Sequence, residues 1–273
     1  MSESMQHPRK LTTQQQALLR LIYKYRFATT ILLAQNTHKK SAASIHPRLV
    51  TLEQLGYIGR YFNSRYRQLN RSAEYYLTPQ GLRALKSDNL RGLHEKAIKN
   101  SYTDGRASKS FISRSLTIYE IAQKLEQLDG LRYFTKRELA DDAFSYFPSP
   151  LPDGFMSWNR REETRRFFIE YIDETTPTFV TERLIIRYLE YAESGNWDVT
   201  GFEIPPVLLV AANGSTEKRL QKQITRRMDI ADVSEPQFYT TTLTALKEAN
   251  GEEVAIWSDA TDPDDLLSFI DLD

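Results

Sequence analysis

The sequence of 273 residues contains no cysteine, which excludes disulfide bonds, thiolate zinc sites and cysteine nucleophiles. It has no apolar run near the roughly 18 residues of a transmembrane helix, and its first ten residues lack the apolar core of a secretory signal. The four histidines are scattered without the paired spacing of a zinc site, and there is no Walker A or dinucleotide-binding glycine motif. These absences favour a cytoplasmic protein with no membrane partner.

The net charge is zero because two parts of the chain carry opposite charges that cancel. Residues 1–116 contain 20 Lys and Arg against six Asp and Glu, a balance of +14, whereas residues 117–273 contain 16 against 30, a balance of −14. A charge asymmetry this large predicts that the N-terminal part meets a polyanion, and a merely solvated basic surface is the alternative.

The basic part has the pattern of a winged helix-turn-helix. The predicted elements are helices at 11–25, 28–35 and 41–55, followed by strands at 56–62 and 73–77. Gly56 stands where a left-handed residue ends the third helix, and Pro47 either kinks that helix or begins its stable part. Three helices followed by a hairpin with a basic tip predict that the third helix enters the major groove of duplex DNA. A winged helix used only for protein contacts is the alternative.

The expected DNA contacts lie around the third helix and on the hairpin. They are Lys39, Lys40, Ser41, Ser44, His46 and Arg48 at the helix, and Arg60, Arg65, Arg67 and Arg71 on the hairpin. The helix residues could reach base edges or phosphates, whereas the hairpin arginines are expected near phosphates or a minor groove. We expect this DNA-binding domain to span residues 1–90, with a basic linker at 91–114.

Strands and helices alternate over residues 115–247, which predicts an α/β domain. In the strand candidate RFFIEYID, at 166–173, Phe168, Glu170 and Ile172 share one face. Asp153 lies at the turn before the preceding strand, so adjacent antiparallel strands could bring Asp153 and Glu170 together. A mid-strand acid costs free energy unless it is paired or binds a cation. This favours a Mg²⁺ or Mn²⁺ site with oxygen ligands, and a salt bridge from Glu170 to an arginine is the alternative.

Four segments resemble the replication-relaxation family, which is encoded by plasmids and other mobile elements and includes the MobC class of conjugative relaxases. They are PLPDGFMSW, RRFFIEYIDETTP, TERLIIRYLEYAESG and PPVLLVAANGSTEKRLQKQI. The resemblance spans about residues 10–230. It implies an α/β (α+β) fold, in which a winged helix precedes a restriction-endonuclease-like core of the PD-(D/E)XK type. It also implies metal ligands at Asp153, Glu170, Asp173 and Glu182.

The sequence departs from this family at one point that matters for catalysis. The family has a lysine in the helix before the paired tyrosines, and this chain has no lysine there; the strand position of the simplest motif holds Ile172. Helical geometry puts Arg187 at the margin of the buried stripe and Arg183 towards solvent. Arg187 is therefore the expected catalytic substitute, able to balance charge but not to act as a base. Asp173 joins the site only through a bulge or a rotated strand end, and otherwise caps the next turn.

Three functions follow from these patterns. The first is an origin-binding protein that nicks DNA with Mg²⁺ or Mn²⁺, through Asp153, Glu170 and Arg187. The second is a non-catalytic DNA-binding regulator with a degenerate nuclease fold. The third is an assembly adaptor that docks a protein partner through an acidic C-terminal tail at residues 248–273.

Overall fold

The computed structural model describes residues 11–272, apart from 38–40, 69–70, 88–97, 100 and 161–162. The chain is a mixed α/β protein with two compact units, Met1–Leu116 and Thr117–Asp273. The division falls at the change from basic to acidic sequence and lies inside the helix Lys109–Leu125. None of the helices in these described ranges is long and apolar enough to cross a membrane.

The first unit combines short helices with a small antiparallel sheet. Its helices are α1 (Thr13–Tyr25), α2 (Thr30–Asn36), α3 (His46–Gln54), α4 (Ser64–Gln68) and α5 (Pro79–Ser87). Its strands are β1 (Phe27–Thr29), β2 (Ile58–Tyr61) and β3 (Glu74–Leu77), in the sheet order β1-β3-β2.

The start of α1 shows why the sequence folds where it does. The Thr12 hydroxyl accepts the Gln15 N–H at 3.3 Å, and the Gln15 side chain accepts the Thr12 N–H at 3.0 Å. This capping box satisfies two backbone donors that the first turn leaves unpaired. Leu18, Leu19 and Ile22 then fill the buried face of the helix.

The first unit differs from the expected elements at three places. The predicted second helix starts only at Thr30, because Phe27–Thr29 pairs with β3 as an edge strand. The predicted third helix opens with a 3₁₀ turn, Ala42–Ser44, and α3 begins at His46 with Pro47 in its first turn, where a missing N–H costs nothing. The basic segment between β2 and β3 contains α4. The assignment as a winged helix-turn-helix stays a prediction.

The second unit is built on one seven-stranded sheet. Its strands are β4 (Leu131–Thr135), β5 (Gly154–Arg160), β6 (Glu163–Ile172), β7 (Val207–Ala211), β8 (Phe238–Thr242), β9 (Trp257–Asp259) and β10 (Leu266–Leu267). Its helices are α7 (Thr178–Glu193), α8 (Gly214–Ala231) and α9 (Leu243–Glu248), preceded by α6 (Lys109–Leu125), which runs across the division. The strand order is β10-β9-β8-β7-β6-β5-β4, in which β6, β7 and β8 run parallel and the other pairs are antiparallel.

The segment predicted as an acidic tail, 248–273, contributes two of these strands. Phe269 and Leu272 are 3% and 0% exposed, so the apolar residues of the segment are part of the core. The Arg165 guanidinium donates to the backbone carbonyls of Ile270 and Leu272, both at 2.6 Å. Burial and these bonds fix the segment on the sheet.

Aromatic packing anchors β5 and β6 beneath α7. The ring of Phe168 lies 5.8 Å from that of Phe147 and 5.7 Å from those of Phe155 and Trp197, measured between centroids. Tyr188 of α7 lies 5.6 Å from the same ring. Such pairs add about 0.5–1.5 kcal/mol each beyond the area that they bury. The face of β5 and β6 that carries Phe155 and Phe168 is therefore rigid where it meets α7.

Candidate functional site

The strand register brings Asp153 and Glu170 together. Gly154 pairs with Ile169 across β5 and β6, so the next position along places Asp153 opposite Glu170. Directly opposed residues in an antiparallel pair point to the same face. The Tyr171 N–H also donates to Asp153 Oδ2 at 3.0 Å, which ties the turn before β5 to β6. The two carboxylates therefore share one end of the core face.

A second contact fixes the turn that carries Asp153. A Cβ atom on Gly154 would overlap the phenol ring of Tyr133 on the neighbouring strand β4. Any side chain at this position would have to displace that buried ring. Glycine after Asp153 is thus required by the close approach of the ring, and it helps to hold the carboxylate in register.

Glu170 is a buried carboxylate with two close donors. It is 4% exposed and accepts hydrogen bonds from Arg187 Nη2 at 2.5 Å and from the Tyr188 hydroxyl at 2.9 Å. Burial raises the pKa of the Glu170 carboxyl above its ordinary value, and the charge of Asp153 raises it further. Arg187, Lys136 and the Tyr188 hydrogen bond act in the opposite direction on this pKa. Repulsion between the two acids is thus only partly balanced by their neighbours.

Tyr188 and Arg187 both hydrogen-bond to the Glu170 carboxylate and pack against each other. Burial and the charge of Glu170 raise the pKa of the Tyr188 hydroxyl well above its ordinary value, so the hydroxyl keeps its proton and donates. The Arg187 guanidinium lies 4.6 Å over the Tyr188 ring, and its side chain is 16% exposed. Its Nε is buried with no hydrogen-bond partner among the described residues. Burial is the largest single effect on the pKa of Arg187 and lowers it, but the charges of Glu170 and Tyr188 and the hydrogen bonds to both residues together raise the pKa above its ordinary value.

Arg183 lies elsewhere on the same helix. It is exposed, and its guanidinium lies 5.6 Å from the ring centroid of Phe179, one turn earlier. The helical phase thus separates the two arginines of α7, since only Arg187 reaches Glu170.

The other two predicted metal ligands have partners of their own. Asp173 accepts the N–H and the hydroxyl of Thr175 at 2.9 and 2.6 Å, so it caps the turn after β6. Glu182 forms an ion pair with Arg227 of α8 at 3.1 Å. Within the described ranges, no group of three or more acidic or histidine side chains could hold a metal ion. The candidate metal site is therefore a pair of carboxylates.

From the sequence alone, Tyr188 is predicted only to belong to the buried stripe of α7. Helical spacing identifies the face on which it lies, and it fits the buried side. Nothing in the spacing shows that its hydroxyl meets Glu170 of β6, because that contact depends on how α7 crosses the sheet. The available signal is that a tyrosine hydroxyl in a buried stripe usually needs a hydrogen-bond partner inside the protein.

In the first unit, the residues expected at the third helix surround its first turn. Ser41 caps the 3₁₀ turn by accepting the Ala43 N–H at 3.0 Å, and the Ser44 hydroxyl donates to the Ser41 carbonyl at 2.7 Å. His46 is exposed, and half-buried Arg48 donates to the Ser44 carbonyl. Lys39 and Lys40 lie outside the described residues.

The hairpin arginines differ in their engagement. Arg60 forms an ion pair with Glu53 at 2.8 Å, and Arg71 forms one with Glu74 at 3.0 Å. Arg65 of α4 is exposed. The side chain of Arg67 lies outside the described part of the chain. Two of the four arginines expected at phosphates are therefore paired with acidic residues, Arg60 with one of α3 and Arg71 with one of β3.

Comparison with known proteins identifies the family. The family model described as Replication-relaxation matches residues 19–205. The chain belongs to the replication-relaxation family. The matched range includes Asp153, Glu170 and Arg187, so the whole candidate site lies in the part that the family shares. Membership supports a DNA-processing role on a mobile element.

Structural similarity outside the family is weak. The restriction endonuclease FokI matches 86% of this chain with 13% identity and a TM-score of 0.34, and the same enzyme bound to DNA matches 86% with 14% identity and a TM-score of 0.30. The chain spans about two fifths of the length of these FokI chains, 42% and 43%. No curated protein has significant similarity to the sequence.

Proposed function

We propose that this replication-relaxation protein binds duplex DNA of a plasmid or other mobile element through a winged helix in its first unit. We further propose that it nicks this DNA at the Asp153–Glu170 pair of its second unit, a restriction-endonuclease-like domain, with Mg²⁺ or Mn²⁺. The observation that carries the proposal is the register of β5 and β6, which sets the two carboxylates side by side.

The DNA-binding part of the proposal rests on charge and on element order. The first unit carries an excess of fourteen positive charges, and neutralisation of phosphates by such residues drives binding through counterion release. Three helices precede the β2–β3 hairpin, which is the order of a winged helix-turn-helix. Ser41, Ser44 and His46 are exposed around the first turn of the third helix, where side chains reach DNA in such proteins.

The carboxylate pair fits a hard divalent cation. Mg²⁺ is usually held by one or two carboxylates, together with water and substrate phosphate. Both hydrogen bonds to Glu170 end on Oε1, so Oε2 is the oxygen available to a cation. Since the charge of Asp153 raises the pKa of Glu170, a cation between them would relieve their repulsion. When bound, such an ion polarises the phosphodiester and lowers the pKa of an attacking water.

The side chains of the chain have separate tasks in the proposed hydrolysis. Asp153 and Glu170 hold the cation, and Arg187 with Tyr188 keeps Glu170 in place and charged. The water oxygen forms a bond to phosphorus while the bond from phosphorus to the leaving sugar oxygen breaks. The water gives its proton to solvent, and the leaving oxygen takes a proton from solvent. The products are a 5′ and a 3′ end, one of them carrying the phosphate.

One observation favours a second candidate function, DNA binding without cleavage. The Arg187–Glu170 ion pair at 2.5 Å already balances the buried carboxylate, as a structural salt bridge would. In this alternative the protein binds DNA as a regulator or assembly adaptor, and the Asp153–Glu170 pair belongs to a degenerate nuclease site that no longer cleaves DNA.

A nicking assay decides between the two candidates. Purified full-length protein is incubated with supercoiled plasmid that carries the origin of its own element, with Mg²⁺, Mn²⁺ or EDTA. Conversion to open circles with either ion and not with EDTA supports cleavage. Binding of the plasmid without conversion supports the non-catalytic candidate.

A further inference from the structure

The sheet places a lysine beside the carboxylate pair. Across β4, β5 and β6, Thr135 pairs with Gly154, and Gly154 pairs with Ile169. One position further along, Lys136 lies opposite Asp153, and Asp153 lies opposite Glu170. A cation and two carboxylates thus follow one another across three adjacent strands.

This row lies on the face of the sheet that α7 covers. Side chains two positions apart on a strand share a face, so the row continues the aromatic row of Phe134, Phe155 and Phe168. Lys136 is exposed in the turn that ends β4. Because Lys136 is exposed and its register position is beside Asp153, it lies at the solvent end of the row, where substrate must approach.

The two cationic side chains near the Asp153–Glu170 pair, Arg187 and Lys136, differ in their contacts. Arg187 is mostly buried and bonded to Glu170, so its charge is used inside the protein. Lys136 makes no ion pair or hydrogen bond within the described ranges of the chain. A DNA phosphate at the carboxylate pair brings negative charge that Arg187 cannot balance without releasing Glu170.

We propose that Lys136 is a catalytic residue that contacts the scissile phosphate and takes the place of the lysine absent at Ile172. This inference rests on the proposed nicking function. The ammonium group balances the charge that develops on the phosphate oxygens, and it exchanges no proton in this role. It reaches the phosphate from β4, the strand on the far side of Asp153 from Glu170.

The test compares three variants of the full-length protein in metal-dependent plasmid nicking. Lys136→Ala should lower the nicking rate about 10²–10³-fold, the usual effect of removing one fixed charge contact to a transition state. Lys136→Arg keeps the charge and should stay within about tenfold of the parent. Arg132→Ala is the matched control, since Arg132 is exposed on the same strand and face but lies four residues, or about 13 Å, away. It should nick like the parent.

Binding of Mn²⁺ without DNA, measured by calorimetry, gives the second readout. Lys136→Ala should bind Mn²⁺ at least as tightly as the parent, because a positive charge beside the carboxylates is gone. Loss of Mn²⁺ binding together with nicking would show a role in shaping the site and would overturn the assignment. So would parental nicking by Lys136→Ala, which leaves the proposed function intact. A parent that never nicks overturns the proposed function, and this inference with it.

Discussion

Each unit of this protein contains a buried glutamate held by a tyrosine and an arginine. In the first unit, Glu74 is 4% exposed and accepts from the Tyr66 hydroxyl at 2.9 Å and from Arg71 at 3.0 Å. In the second unit, Glu170 is also 4% exposed and accepts from a tyrosine hydroxyl at 2.9 Å and from an arginine at 2.5 Å. In both trios the arginine lies over the ring of the same tyrosine, at 5.1 and 4.6 Å.

The two trios differ in what surrounds them. Glu170 has a second carboxylate, Asp153, on the adjacent strand, and that charge raises its pKa. The Arg187 side chain is 16% exposed, whereas that of Arg71 is 52% exposed. Contact among a glutamate, a tyrosine and an arginine therefore stabilises a buried carboxylate and does not by itself indicate a functional site. The neighbouring acid is what makes the second trio a candidate site.

The largest expected effect comes from removing that acid. Asp153→Ala should lower metal-dependent nicking by at least about a thousandfold, because losing a ligand of the ion does more harm than the roughly 10²–10³-fold loss of one charge contact. Glu74→Gln neutralises the matching carboxylate of the first unit and should nick at the parental rate. The readout is the initial rate of open-circle formation at saturating DNA. Equal losses in the two variants would break the comparison.

The next largest expected difference is in stability, between variants of the two arginines that pair with the buried glutamates, Arg187 and Arg71. Arg187→Ala leaves Glu170 buried without its cation and should lower the free energy of unfolding by about 3 kcal/mol. Arg71→Ala removes a half-exposed partner and should cost about 1 kcal/mol or less. Urea denaturation of the full-length variants measures both changes.

Nicking by the α7 variants sharpens this result. Arg187→Lys should keep activity, because it keeps a cation beside Glu170. Arg183→Ala should change the nicking rate little, since Arg183 points away from the site. Arg187→Ala should lower the nicking rate, because Glu170 loses the cation that holds it in place, and an equally large loss in Arg183→Ala would contradict the assignment of Arg187.

A smaller effect separates two arginines of the hairpin. Arg65→Ala should weaken DNA binding by about 1 kcal/mol on every sequence and reduce the salt slope by about one, as expected for a phosphate contact. Arg71→Ala should weaken binding less, because Arg71 is engaged by Glu74. Fluorescence anisotropy with several duplexes over a range of salt concentrations gives both quantities. Sequence-selective loss in Arg65→Ala would point to base contact instead.

The smallest expected effect is a dependence of stability on pH. Because the pKa of Glu170 is raised from its ordinary value of 4.5, the folded protein holds a proton there in a pH range where the unfolded chain has lost it. The free energy of unfolding contributed by Glu170 should therefore fall as the pH rises from about 4.5 through the raised pKa. The difference between the parent and Glu170→Gln in metal-free buffer isolates this slope. A difference that rises with pH would contradict the assigned shift.

Much of the second unit could be predicted from local patterns. Local patterns predict strands at 207–211 and 238–242, which are the bounds of β7 and β8. They also predict a strand at 166–173 and a helix at 180–193, and β6 and α7 begin three and two residues earlier. These elements are long or strongly periodic, so that local sequence determines them. The position of Asp153 before a strand and of Glu170 within the next one followed from the same patterns.

The remaining features depend on contacts between distant parts of the chain. The three residues of β1 are too few to show a period, and β1 exists because β3 pairs with it. Glu182 was expected at the site and instead pairs with Arg227, which the packing of α8 against α7 decides. Lys136 showed no local signal either, because only the register of β4 and β5 brings it beside Asp153.

The most direct test of the account is a crystal structure of the protein grown with Mn²⁺, in which anomalous scattering locates the ion. We expect one strong peak within about 2.5 Å of both an Asp153 and a Glu170 oxygen, and none at Glu74. A structure with Mn²⁺ elsewhere and none between these two carboxylates, or with the carboxylates about 10 Å apart, would contradict it.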